Sequence, residues 1–89
     1  MNEVRVLLPS VLVALFPGAP RELGVQAATV GEAIAALDAR WPGMRDRLCE
    51  SPGRLRRHIN VFVEGDRATL ATPLGAGGEM IVMTAISGG

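Results

Sequence analysis

The residues with the most chemical potential stand at the end of the sequence, Ile86-Ser87-Gly88-Gly89. Glycine has no Cβ, so a Gly-Gly backbone enters a narrow channel without steric cost. Four extended residues reach about 13–14 Å. A terminal carboxylate on Gly89 is ionised at neutral pH, since its unperturbed pKa is about 3.5. If a partner enzyme holds ATP and Mg²⁺ beside it, that carboxylate can attack the α-phosphorus, through positioning and electrostatic stabilisation. The product is an acyl-adenylate and pyrophosphate. A sulfur nucleophile then displaces AMP and leaves a thiocarboxylate.

Other reactive side chains carry less. Cys49 is the only cysteine. It excludes an internal disulfide and any zinc or iron–sulfur site built from thiolates alone. Its ordinary reading is a small, partly buried apolar residue. Glu50 beside it would raise its pKa, and Arg45 and Arg47 would lower it only if the fold brings them close. His58 has no acidic or Cys partner at a recognisable spacing, so no metal site is expected. Arg54, Arg56 and Arg57 form a short basic cluster, either a solvated loop or a docking site for acidic groups.

The elements that must position these residues follow from hydrophobic period. Val4, Val6 and Leu8 alternate with Glu3, Arg5 and Leu7, which predicts a first strand. Ser10 to Phe16 is apolar throughout and leaves its type open; we read it as a short turn-and-strand segment before Pro17-Gly18-Ala19-Pro20. Arg21 to Ala27 reads as a second, antiparallel strand. Thr29 with Glu32 three residues later is a capping box, and Val30, Ala33, Ile34, Leu37 and Trp41 follow at helical spacing. Pro42-Gly43 stops that helix, and Met44 to Glu50 reads as a short second one. Ser51-Pro52-Gly53 is a loop.

Ile59, Val61 and Val63 alternate with Asn60, Phe62 and Glu64 in a third strand. Glu64-Gly65-Asp66 reads as a hairpin turn, with a short strand near Arg67 to Thr69. Leu70 to Gly78 is a loop. Glu79 to Ile86 is the last strand, followed by the tail. Met44, Met80 and Met83 are expected in core or edge packing, and Trp41 in the core. A helix between early and late strands fits an α+β fold, a mixed sheet with one main helix on one face and the first and last strands parallel at its centre. This is the ubiquitin-like β-grasp plan. If Ile59, Val61 and Val63 face the helix, Asn60 and Phe62 face the open side. Phe62 is then an exposed aromatic and a candidate anchor for a partner.

Composition bounds the rest. The chain has 89 residues, one domain with a tail over 86–89. Nine basic residues, all Arg, balance nine acidic ones. That gives no electrostatic case for nucleic acid. Without Lys, the chain offers no side-chain amine for isopeptide-linked chains. The apolar run Val6 to Phe16 is too short to span a bilayer and lacks a preceding basic region, so neither a membrane nor a signal peptide is expected. A cytoplasmic, reducing location is the simpler expectation.

The chain resembles the MoaD/ThiS family of sulfur carriers over its whole length. The resemblance rests on Val4-Arg5-Val6, the capped helix after Thr29, Asn60 in the third strand, Glu79 opening the last strand, and the ending Ile86-Ser87-Gly88-Gly89. The stretch Ser51 to Val63 looks closest to the CysO-like branch, which serves cysteine biosynthesis. The resemblance implies a protein cosubstrate, not an enzyme. It implies Gly89 as the residue adenylated and converted to thiocarboxylate, with Gly88, Ser87 and Ile86 as the tail a partner active site requires. Phe62, Asn60, Arg54, Arg56 and Arg57 are the candidate docking residues. No cofactor is expected on the chain itself; ATP and Mg²⁺ are used by an E1-like adenylating and sulfur-loading enzyme. Further implied partners are a PLP-dependent cysteine synthase and a zinc metalloprotease. Some family members need trimming after the Gly pair; this ending implies none. Alternatives are the small subunit of molybdopterin synthase, a carrier for another thiolation pathway, a ubiquitin-like protein modifier, and a non-catalytic binding module.

Overall fold

A computed structural model of the chain describes residues 2–51 and 53–84. Strand β1, Asn2–Leu7, buries Val4 and Val6 and leaves Glu3 and Arg5 exposed, as its period of two requires. Strand β2, Glu22–Ala27, lies antiparallel to it, with Val25 opposite Val4.

Between them stands a helix where a turn-and-strand segment was expected. Helix α1 covers Ser10–Leu15. Pro9 supplies the extended N-cap, and its carbonyl accepts from Leu12 N and Val13 N, both at 3.1 Å. Only Leu12 is fully buried, while Val13 and Phe16 pack partly against the core. The segment is apolar at nearly every position, so no period of 3.6 shows in its sequence. Tertiary contact at Leu12, Val13 and Phe16 decides the state.

Helix α2, Val30–Arg40, is the main helix and follows its capping signal. Thr29 Oγ1 accepts from Glu32 N at 3.2 Å. Glu32 Oε1 in turn accepts from Ala28 N at 2.9 Å, one residue before the N-cap. Val30, Ala33, Ile34 and Leu37 form its buried stripe. Trp41 is partly buried against the core, with the Arg40 guanidinium 4.9 Å from its ring. Asp38 Oδ1 accepts from Gly43 N at 3.1 Å and Arg45 N at 3.0 Å. This ties the end of α2 to helix α3, Met44–Leu48. Gly43 at φ 100° makes the bend in a left-handed conformation that favours glycine. Replacing Thr29 by Ala is expected to cost about 1 kcal/mol, read as a lower urea midpoint with an unchanged slope.

After α3, which ends at Leu48 rather than reaching Glu50 as expected, the chain forms a small hairpin around the expected Ser51–Gly53 loop. It pairs β3, Cys49–Glu50, with β4, Arg54–Leu55. Two-residue strands are too short to show a period. Strand β5, Ile59–Val63, then enters the main sheet. Glu64 and Gly65 both have positive φ, 51° and 89°, the signature of a two-residue type I′ turn. Strand β6, Asp66–Arg67, returns from it, beginning one residue earlier than expected. Glu64 is also held by Glu79 N, which donates to its Oε2 at 2.8 Å. The last described strand, β7, is Glu79–Thr84.

The main sheet has five strands in the order β2-β1-β7-β5-β6. β1 and β7 run parallel at its centre, as expected. One face, carrying Val4, Val6, Val61, Met80 and Val82, closes on α2 to form the core. Alternation turns Leu7, Phe62, Ile81 and Met83 to the other face.

Candidate functional site

β7 is the strand that leads toward the sequence terminus. It is held by β1 through Arg5↔Glu79, Val6↔Met80 and Leu7↔Ile81. On its other side β5 pairs with it from Val63↔Met80 to Ile59↔Thr84. Pairing with β1 stops at Ile81, so Met83 and Thr84 have a ladder neighbour only in β5. The expected tail residues Ile86, Ser87, Gly88 and Gly89 lie outside the described residues.

The register puts Phe62 on the face away from α2, opposite Ile81 on β7 and Arg67 on β6. Ile81 is in turn opposite Leu7 on β1. Leu7, Ile81, Phe62 and Arg67 therefore form one row across the sheet. Phe62 is half-buried rather than fully exposed. Asn60 lies on the same face opposite Met83, which is 49% exposed. Met44 and Met80 are core residues as expected, but Met83 is not; β7 alternation sends it outward. An apolar groove of about 730 Å³, lined by Leu7, Pro9, Ile81, Met83 and Thr84 among others, runs along the end of β7. Arg5 borders the row with ion pairs to Glu22 at 3.2 Å and Glu79 at 3.8 Å. Leu7, Ile81 and Met83 are the site residues that sequence reading missed. Their alternation with Val6, Val82 and Thr84 was the available signal.

The basic cluster divides. Arg54 Nε contacts Glu50 Oε2 at 3.2 Å. Arg56 Nε donates to the Asp46 carbonyl at 2.7 Å. Arg57 and His58 are exposed, and among the described residues Arg57 has no ion-pair partner. Arg57 stands two residues before Ile59, whose partner is Thr84. The cluster thus sits at the end of the sheet where β7 finishes.

Cys49 is half-buried beside this cluster. Burial pushes its thiol up, against a smaller opposing pull from Arg45 and Arg56; Asp46 adds to the rise. Arg56 and Asp46 thus act where Arg47 and Glu50 were expected. A thiol raised on folding favours the neutral form. Its contribution to stability is present below the unfolded pKa and lost as pH rises through the folded value. Near about pH 8, alkylation by iodoacetamide is expected to be slower in the folded chain than in the urea-unfolded chain. Among the described residues no group of His, Cys, Asp and Glu side chains could hold a metal ion, and no helix is long and apolar enough to cross a membrane.

The ThiS family profile matches residues 14–89. The chain belongs to the ThiS family. Members of this type are small protein substrates rather than catalysts, and the chain is one of them. It is 29% identical to the sulfur carrier protein CysO of Mycobacterium tuberculosis, over 98% of this chain and 99% of that one. It is 39% identical to small archaeal modifier protein 1 of Haloferax volcanii, over 70% of this chain and 71% of that one. Among solved structures, the Amycolatopsis orientalis BexX/CysO complex contains a chain that superposes with a TM-score of 0.86 at 28% identity. The match covers 97% of this ThiS family chain and 99% of that one. The fold is ubiquitin-like β-grasp, and the family resemblance and its CysO-like character are both supported by these matches.

Proposed function

We propose that the chain is a sulfur carrier of the CysO type, with Gly89 as the residue that bears the sulfur. The supporting observation is the near full-length similarity to CysO on a fold whose central strand β7 leads toward Gly88-Gly89. In this reading an E1-like enzyme holds ATP and Mg²⁺ against the Gly89 carboxylate. One carboxylate oxygen attacks the α-phosphorus and pyrophosphate leaves. Sulfide then attacks the acyl carbon and AMP leaves, giving a C-terminal thiocarboxylate.

The chain itself supplies three things to these steps. The Gly-Gly backbone is narrow enough to enter the nucleotide site. The sheet holds β7 on both sides up to Ile81 and on the β5 side up to Thr84, which fixes the strand that precedes the tail in sequence. The open face with Phe62 and Ile81 offers apolar area for docking, with Asn60 and the Arg54–Arg57 segment at its margin. Cysteine biosynthesis is the proposed destination of the sulfur, with a PLP-dependent synthase as acceptor enzyme and a zinc metalloprotease releasing the product.

A second reading is a ubiquitin-like modifier. Its support is the similarity to small archaeal modifier protein 1. One experiment separates the two. The purified chain is incubated with MgATP, sulfide and a cognate E1-like enzyme, and its intact mass is recorded. Exchange of one oxygen for one sulfur at Gly89 is the expected result. No change, with the enzyme active on a control carrier, removes the carrier reading. A stable isopeptide to a target lysine in place of transferable sulfur supports the modifier.

A further inference from the structure

A groove of about 500 Å³ lies beside the outer edge of β5. Its floor is Ile59 to Val61. One wall is the Arg54–Arg57 segment and the other runs from Arg67 to Ala71. Four Arg line it and no Asp or Glu does, in a chain whose net charge is zero. Arg54 and Arg56 are partly engaged, by Glu50 and by the Asp46 carbonyl. Arg57 and Arg67 are exposed and make no ion pair among the described residues.

The floor is an incompletely covered sheet edge. β6 stops at Arg67, and the last bond beside β5 is from Ala68 N to the Val61 carbonyl at 2.7 Å. The chain then turns away, and the Leu70 carbonyl accepts from Gly31 N at 2.9 Å. Toward Ile59 no strand of the described residues lies alongside on this edge. Ile59 N is taken by the Arg56 carbonyl at 3.0 Å. Backbone groups of one residue in an antiparallel strand point the same way, so the Ile59 carbonyl also faces this edge.

We propose that this groove binds an extended acidic segment of a partner protein, with carboxylates on Arg57 and Arg67 and its backbone along the edge of β5. Charge carries the choice of ligand: four Arg line the groove with no acidic side chain, and among the described residues Arg57 and Arg67 are the two held neither by an ion pair nor, as Arg56 is, by a backbone carbonyl. Arg57 precedes the start of β5 and Arg67 is paired opposite Phe62 near its end, so an extended segment lying along that strand passes both. Arg binds each carboxylate through paired N–H donors. No aromatic side chain lines the groove, so nothing there stacks on the bases of a single strand. The attraction is local and screened over about 8 Å at physiological salt. This surface goes beyond the carrier chemistry, because it does not need the tail and meets the Phe62 face only at its border, through Asn60 and Arg67.

The test uses the full ¹⁵N-labelled chain and a synthetic peptide of about ten residues alternating Glu and Val. Its amide shifts are expected to move at Ile59 to Val61 and Ala68 to Leu70. An Arg57→Glu, Arg67→Glu double variant is expected to weaken binding at least about tenfold, and binding should fall with salt. A chain lacking residues 86–89 is expected to bind as well as the full chain, which separates this proposal from the carrier reading. Both Arg are exposed, and a dispersed spectrum checks that the double variant is folded; the Arg57→Gln, Arg67→Gln pair serves if it is not. Absence of shifts, shifts confined to the Phe62 face, or tighter binding of a single-stranded oligonucleotide or MgATP at these residues would overturn the proposal.

Discussion

Deletion of Gly89 is expected to leave the fold intact and to abolish activation by an E1-like enzyme. Stability should change by less than about 0.5 kcal/mol, because the deletion removes no side chain and the buried core of the described residues runs from Val4 to Val82. Activation is different. The carboxylate would then belong to Gly88, withdrawn by about 3.3–3.6 Å. A misplacement of about 1 Å can cost about 100-fold when attack geometry is strict. A loss well beyond about 100-fold in ATP–pyrophosphate exchange is therefore expected, with an unchanged urea midpoint. Retained exchange would mean that Gly89 is not the reacting residue.

The second large effect is expected from Phe62→Asp. Phe62 shares a row with Leu7 and Ile81 on the face away from α2. Half-buried aromatic side chains at the centre of an apolar patch are the ones that dominate interfaces, often by about 2 kcal/mol or more. A charge placed there leaves an unpaired carboxylate against the partner's apolar surface. The expected result is a rise of about 30-fold in the KM for the carrier in the exchange reaction, with kcat little changed. The fold should survive, since the core lies on the opposite face; the urea midpoint checks this. An unchanged KM would remove the open face as the docking surface, while leaving the Gly89 prediction standing. The two experiments thus probe separate parts of the proposed carrier function.

Much of this protein is legible in local sequence. Alternation in Val4 to Leu8 and Ile59 to Val63 sets each strand and its two faces, because the period of two admits only one burial pattern. The Thr29/Glu32 pair and the stripe Val30, Ala33, Ile34 and Leu37 place α2, because its cap and its buried face both lie within a few turns of chain. Glu64-Gly65 carries its own turn geometry. The side of the sheet that holds Phe62 follows from the same alternation.

Other features depend on residues far apart in the chain. Ser10 to Phe16 offers apolar residues at almost every position, so only its packing through Leu12, Val13 and Phe16 selects helix. The β3–β4 hairpin is too short to show a pattern. The Leu7–Ile81–Phe62–Arg67 row exists because β7 enters between β1 and β5, bringing together residues separated by most of the sequence. Arg57 and Arg67 share a groove only because β6 ends early and leaves the edge of β5 uncovered. Local sequence determines which faces are apolar and where the helix begins; the pairing of distant strands decides which of those residues meet.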